Sequence, residues 1–265
     1  MDDDQKKRDT ESIQKVVAAT VATHPAGRKL LLIGGFRYRL LDESVRVSNA
    51  VDYHWSGDLA EKQVELAALF NRVLVREVRR RLGYAGSVDI KRGPDAESPI
   101  VRVVDLLFWK KDVPNSRIEL PVEVTRILCA DPAEVRTMDG IVYATASDGD
   151  IVESKVLAVL NSMHLRHRDL VDIFLFRNTF LPDSDRRLSA KIHELKITPA
   201  SIMKRMDDLA AREGYHVEAI NDVIDAQCDA ASAAQLKEAG GGKTVLDAVT
   251  STLWRHLPDG IGGAE

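Results

Sequence analysis

Cysteine is almost absent: Cys129 and Cys228 are the only two in 265 residues, far apart and without CxxC spacing. That excludes a disulfide framework and predicts free, buried thiols in a reducing compartment. No run of about 18 apolar residues occurs, so no membrane-spanning helix is expected. The start, MDDDQKKRD, lacks the apolar core of a signal peptide, and a cytoplasmic location follows as an expectation. Excess positive charge is missing too. The formal net charge of −4 argues against wholesale coating of nucleic acid, although a local basic surface remains open. No internal repeat is present. What remains is 29% charged and 45% apolar, the composition of an ordinary globular chain with enough length for a sizeable core.

The most informative stretch is Arg28 to Trp55. The apolar run Leu30–Ile33 stops at Gly34-Gly35, which reads as a short buried strand closed by a turn. Phe36–Leu41 suits a turn or two of helix. Val51, Tyr53 and Trp55 then alternate with Asp52 and His54 as a second strand. A Gly-Gly turn between strand and helix lets a phosphate approach the backbone, because no Cβ stands in the way. An acid on the neighbouring strand can then hold a cation against that phosphate.

Around this stretch the periodicity predicts a helix over Glu11–Thr23 capped by Thr10, with residues 1–9 frayed. A long helix is expected over about Leu59–Leu82, closed by Gly83. Its second half is basic through Arg72, Arg76, Arg79, Arg80 and Arg81, which either face solvent or touch the phosphates of an RNA. Strands are predicted at Ser87–Arg92, Ile100–Lys110 and Arg117–Ile127, as antiparallel neighbours extending the first sheet. Residues 128–150 read as irregular, with a turn at Asp148-Gly149-Asp150. From Ile151 on the pattern is helical. The expected organisation is therefore an α/β (α+β) core over 1–150, a mixed sheet flanked by helices, and a helical region over 151–265. GGGKT at Gly240–Thr244 fails as a phosphate loop, since Lys237 replaces the first Gly and no strand precedes it; it reads as a linker between helices. His164 and His167 lack the partners for a zinc site.

The stretch from Arg28 resembles the nucleotidyltransferase superfamily, and more closely the AbiEii/AbiGii-type toxins of toxin–antitoxin pairs. Gly34, Gly35, Arg39, Arg46, Ser48 and Asp52 match that pattern, Phe36 replaces a hydroxyl residue, and Ala50 stands where the first Asp belongs. A later motif matches at Lys155, Arg168, Asp169 and Asp172, so the resemblance spans about residues 28–176. It implies transfer of a nucleoside monophosphate from an NTP with Mg²⁺ to an acceptor, with RNA, and tRNA in particular, as that acceptor and an antitoxin protein as partner. It also implies roles. Gly34, Gly35, Arg39, Arg46 and Ser48 would contact the nucleotide. Asp52 and Glu123 would hold the metal, with Glu119 on the same strand face as the alternative to Glu123. Lys155 would hold the triphosphate, and Asp169 would orient it or take the acceptor's proton.

Ala50 cannot ligate a metal, and losing that carboxylate should lower activity about 10²-fold or more. Deliberate inactivation, natural decay, or an acid pair shifted to Asp52 and His54 each explain it. His is a poor Mg²⁺ ligand, which disfavours the shift. Two other readings stand beside transfer to RNA: a non-catalytic nucleotide- or RNA-binding relative, and nucleotidylation of a small molecule or a protein.

Overall fold

The computed structural model describes residues 1–90 and 101–257. Lys91, Arg92 and Ile100 of the expected strands lie outside them. The chain divides into two compact units, Met1–Ile127 with Pro132–Ala146, and Leu128–Asp131 with Ser147–Glu265.

The first unit is built on a seven-stranded mixed sheet of order β3-β4-β5-β2-β1-β7-β6. Its strands are β1 (Leu31–Ile33), β2 (Val51–His54), β3 (Ala85–Ile90), β4 (Val101–Trp109), β5 (Ile118–Thr125), β6 (Glu134–Met138) and β7 (Ile141–Thr145). The helices of this unit are α1 (Asp3–Thr23), α2 (Gly34–Leu41), α3 (Leu59–Leu69) and α4 (Val75–Leu82). The alternation in β2 and β5 decides which sheet face is covered. Val51, Tyr53, Ile118, Leu120, Val122 and Val124 are buried in one cluster with Ile13 and Val17 of α1, Leu66 of α3 and Val78 of α4. Asp52 and Glu123, at the intervening positions, belong to the opposite face.

Three expectations change here. Residues 3–9 are helical rather than frayed, because Asp2 caps α1 by accepting from the Gln5 amide at 2.7 Å. Asp9 also holds the helix down, accepting from Tyr84 Oη at 2.6 Å and Lys110 Nζ at 3.1 Å. Residues 128–133 are irregular as expected, but 134–150 are not. Asp139 and Gly140, with φ of 50° and 74°, form the tight turn between β6 and β7, and Asp148–Asp150 is the first turn of a helix capped by Ser147. The Asp-Gly pair between two apolar alternations was the available signal. Finally, β3, β4 and β5 are antiparallel neighbours as expected, but β5 joins β2 in parallel. The long helix is interrupted by a π turn at Phe70–Leu74 and ends at Gly83, where φ is 74°.

The second unit is helical: α5 (Asp148–Asn161), α6 (His167–Phe176), α7 (Ser184–Glu194), α8 (Pro199–Ala211), α9 (Glu213–Gln227), α10 (Ala230–Glu238) and α11 (Gly241–His256). Gly241 and Gly242 open α11 rather than forming a linker, and the Gly242 amide donates to Asn221 Oδ1 at 2.7 Å. Fully buried Asp150 and Glu153 are met by Arg187 and Lys191 at 2.6–2.9 Å. Arg187 also reaches Asp131 at 2.7 Å, and Asp150 accepts from the Ala130 and Asp131 amides. These bonds are why Leu128–Asp131 belongs to this unit. The cysteines are both free, but Cys129 is exposed where a buried thiol was expected.

Candidate active site

The first-unit site starts at the end of β1, where Ile33 faces Asp52 across an antiparallel ladder. The chain must turn there into α2, and Gly34 does so with φ of +76°, a conformation that L side chains rarely adopt. A Cβ on Gly34 would also stand 2.1 Å from Asp52 Oδ2. At Gly35 a Cβ would stand 2.2 Å from Arg46 Nη2 and 3.4 Å from Ser48 Cβ. The space left by the two missing side chains is thus taken by the Asp52 carboxylate and the Arg46 guanidinium. Glycine here admits two charged side chains to the backbone, where the sequence suggested a bare approach for phosphate.

Gly34, Gly35, Arg46, Ser48 and Asp52 are therefore brought together. Arg46 and Ser48 are buried, and Asp52 is half-buried. Ser48 Oγ donates to the Ala50 carbonyl at 3.1 Å, which makes residues 48–50 a tight entry into β2. Ala50 is buried at that entry. Glu123 pairs in register with Asp52 across the parallel β2–β5 ladder, so both carboxylates leave the same sheet face about 4.8 Å apart at the backbone. Glu119 lies four residues earlier, exposed, in an ion pair with Arg117 at 3.0 Å. Arg39 has other partners: Glu11 at 3.1 Å and the Ser44 carbonyl at 2.8 Å, which tie α2 to α1 and to the turn after it.

Sequence reasoning passed over Arg37 and Gln14. Arg37 is completely buried, donates from Nε to Thr145 Oγ1 at 3.1 Å and pairs with Asp42, joining α2 to β7. Gln14, on α1, is completely buried and donates to the Ser48 carbonyl at 2.7 Å and the Ala50 carbonyl at 3.3 Å. No local pattern marks either, since one polar residue on an amphipathic helix carries no periodic signal.

In the helical unit, Lys155 on α5 sits between two buried carboxylates of α6, 2.8 Å from Asp169 and 3.1 Å from Asp172. Arg166 adds a second cation beside Asp169 at 2.9 Å. Burial works to raise the Asp169 pKa, but the charges of Lys155 and Arg166 and the Lys155 hydrogen bond prevail and hold it below the usual carboxylate value. At the start of α6, His167 Nε2 is 2.9 Å from His216 Nδ1 of α9, and His216 Nε2 is 3.4 Å from Asp208.

An Mg²⁺ ion that arrives with nucleotide needs one or two carboxylates and fills its shell with phosphate oxygens and water. Asp52 and Glu123 fit that requirement. Among the described residues no group of three or more His, Cys, Asp or Glu could hold a metal by itself.

No protein-family model and no curated protein matches the sequence. Solved structures do. A candidate nucleotidyltransferase from H. pylori aligns with a TM-score of 0.56 and 15% identity, over 96% of this chain and 98% of its own. The fold is nucleotidyltransferase-like. JHP933 from Helicobacter pylori aligns with a TM-score of 0.52 and 16% identity, over 94% of each chain. MenT4, the nucleotidyltransferase toxin Rv2826c from Mycobacterium tuberculosis H37Rv, reaches 0.49 at 16% identity, over 77% of this chain and 67% of its own, too slight a likeness to carry an argument. At these identities a nucleotidyltransferase-like chain shares architecture with its neighbours, and its chemistry has to be argued from its own residues.

Proposed function

We propose that this protein is a nucleotidyltransferase that moves a nucleoside monophosphate from an NTP to an acceptor hydroxyl, releasing pyrophosphate. The observation that carries the reading is the register of Asp52 against Glu123 beside the Gly34-Gly35 turn. Asp52 and Glu123 would hold Mg²⁺, which when bound neutralises phosphate charge. Arg46, packed on Gly35, is suited to grip a phosphate through its planar fork, and the Ser48 hydroxyl lies beside it. The acceptor we favour is RNA, tRNA in particular, with the protein acting in the cytoplasm as a toxin held by an antitoxin protein. These finer points rest on the AbiEii/AbiGii resemblance of Gly34-Gly35, Arg46-x-Ser48 and Asp52. Among the described residues no helix is long and apolar enough to cross a membrane.

Ala50 favours a second reading, a relative that binds nucleotide without transferring it, because the carboxylate that would pair with Asp52 is missing. One experiment separates the two. The unchanged chain and its Ala50→Asp variant are incubated with labelled NTPs, Mg²⁺ and total RNA. Transfer by the variant at least about 10²-fold above the unchanged chain supports the first reading. NTP binding by both without label transfer to RNA supports the second or another acceptor. Absence of NTP binding in both removes the site.

A further inference from the structure

We propose that Gln14 is a positioning residue for the nucleotide site, setting from α1 the path by which the chain enters β2. The inference rests on the function proposed above, but its structural half can be tested without it. Gln14 is 0% exposed, and both hydrogens of its amide are directed at carbonyls of one short segment, Ser48 at 2.7 Å and Ala50 at 3.3 Å. The orientation of the amide is decided by these partners: turned over, its oxygen would face two acceptors. Ser48 Oγ closes the same segment by bonding the Ala50 carbonyl, and the Ala50 amide donates back to Ser48 Oγ at 3.4 Å. Two residues further on comes Asp52, whose carboxylate lies against Gly34 with no room for a Cβ between them.

The other end of the amide makes the point sharper. Gln14 Oε1 is buried and has no hydrogen-bond partner among the described residues. A buried acceptor left unsatisfied works against stability, so the oxygen is not what selects glutamine at this position. What Gln supplies there is its pair of N–H donors, and both are directed at the segment that delivers Ser48, Ala50 and Asp52. Gln14 therefore orients the site from behind the sheet without touching nucleotide or metal itself.

The test uses the full chain with Gln14→Leu and Gln14→Glu. Three quantities are read: thermal stability, amide hydrogen exchange over residues 48–54, and affinity for each of the four NTPs with Mg²⁺. Gln14→Leu keeps the core packed and removes both donors. Its exchange at Ala50–Asp52 should rise about tenfold relative to the rest of the sheet, NTP affinity should fall about tenfold or more at a temperature where the variant is folded, and the melting temperature should fall with the loss of the buried donor to Ser48. Gln14→Glu gives a pH signature of the donor role at this segment, and NTP affinity separates positioning from a merely structural role. The neutral carboxyl donates to one carbonyl, whereas the ionised form donates to neither, so exchange over 48–54, taken as a ratio to the unchanged chain at the same pH, should increase as pH rises through the titration of the introduced carboxyl. If Gln14→Leu fails to fold, that pH dependence decides alone. Unchanged exchange in Gln14→Leu, a pH-independent exchange ratio in Gln14→Glu, or unchanged NTP affinity in a folded Gln14→Leu when the unchanged chain binds NTP, overturns the proposal. If the unchanged chain binds no NTP while the exchange results hold, the function proposed above fails and the role of Gln14 in shaping the β2 entry stands.

Discussion

Asp52 on β2 and Glu123 on β5 stand opposite each other across a parallel ladder, on the sheet face turned away from the apolar core. A parallel pair places two carboxylates, 71 residues apart in the chain, at neighbouring positions without any turn between them. Glu123→Gln keeps the shape and removes the charge. It should weaken Mg²⁺-dependent NTP binding about tenfold or more with stability unchanged. Glu119→Gln, on the exposed end of the same strand, should change neither. Equal losses from both, measured by titration calorimetry, would show that the effect is general surface charge.

Gly34 and Gly35 should respond differently to alanine. Gly34→Ala meets both a positive φ and the Asp52 carboxylate, and we expect a loss of roughly 1–3 kcal/mol in denaturant unfolding together with loss of NTP binding. The close atom at Gly35 is the far end of the flexible Arg46 side chain, which can move. Gly35→Ala should fold nearly as well as the parent and lose NTP affinity through the displaced Arg46.

Lys155→Met would leave Asp169 and Asp172 buried without their shared cation. Removing one partner of a buried ion pair costs roughly 3–5 kcal/mol, and that is the expected loss in chemical unfolding. The pH dependence has a definite sign. The Asp169 pKa is lowered in the folded state, so its contribution is complete above the ordinary value of 3.8 and is lost as pH falls through the lower folded value. In Lys155→Met the acid loss should begin at higher pH. A nucleotide role for Lys155 is a separate proposal, supported only if NTP affinity falls in a variant such as Lys155→Arg that stays folded.

The His167–His216 pair should mark a second pH window. Burial lowers both pKa values, with the neighbouring ring and Arg212 adding to it at His167, and Asp208 opposing it at His216. Both rings are therefore more easily protonated in the unfolded chain. Stability should be complete above the ordinary histidine value of 6.5 and fall as pH drops below it. Thermal melts from about pH 8 to about pH 5 should show this slope, and Gln at both positions should flatten it.

The arginines of α4 lie behind the sheet. Val78 of α4 shares the core with Val51 and Tyr53, whose neighbour Asp52 points the other way. Replacing Arg76, Arg79 and Arg80 by Ala should therefore leave NTP affinity unchanged. If RNA docks on this helix, its affinity should fall and the salt dependence should flatten by roughly 0.7–0.9 log units per lost phosphate contact. Arg80 already pairs with Glu77 at 2.7 Å, so its share should be the smallest. Unchanged RNA affinity would leave the charge as a solvated face that suits the negative end of the helix.

Much of this molecule was written locally. The strand that stops at Gly34-Gly35, the alternation of β2 and β5, the Gly83 stop and the helical pattern after residue 150 all follow from neighbours in sequence, because apolar periodicity and glycine backbone freedom act over a few residues. The β6–β7 hairpin had a local signal in Asp139-Gly140, yet its stretch reads as irregular because the flanking strands are short and half-exposed. Other features had no local source. The parallel joining of β2 to β5 that pairs Asp52 with Glu123, the burial of Arg37 against Thr145, and the amide of Gln14 reaching residues 48 and 50 depend on elements from 34 to more than 100 residues apart. The candidate site residues were present in the sequence as types and order. Their geometry came from tertiary packing, because strand register and buried hydrogen bonds are decided by which distant surfaces close on one another.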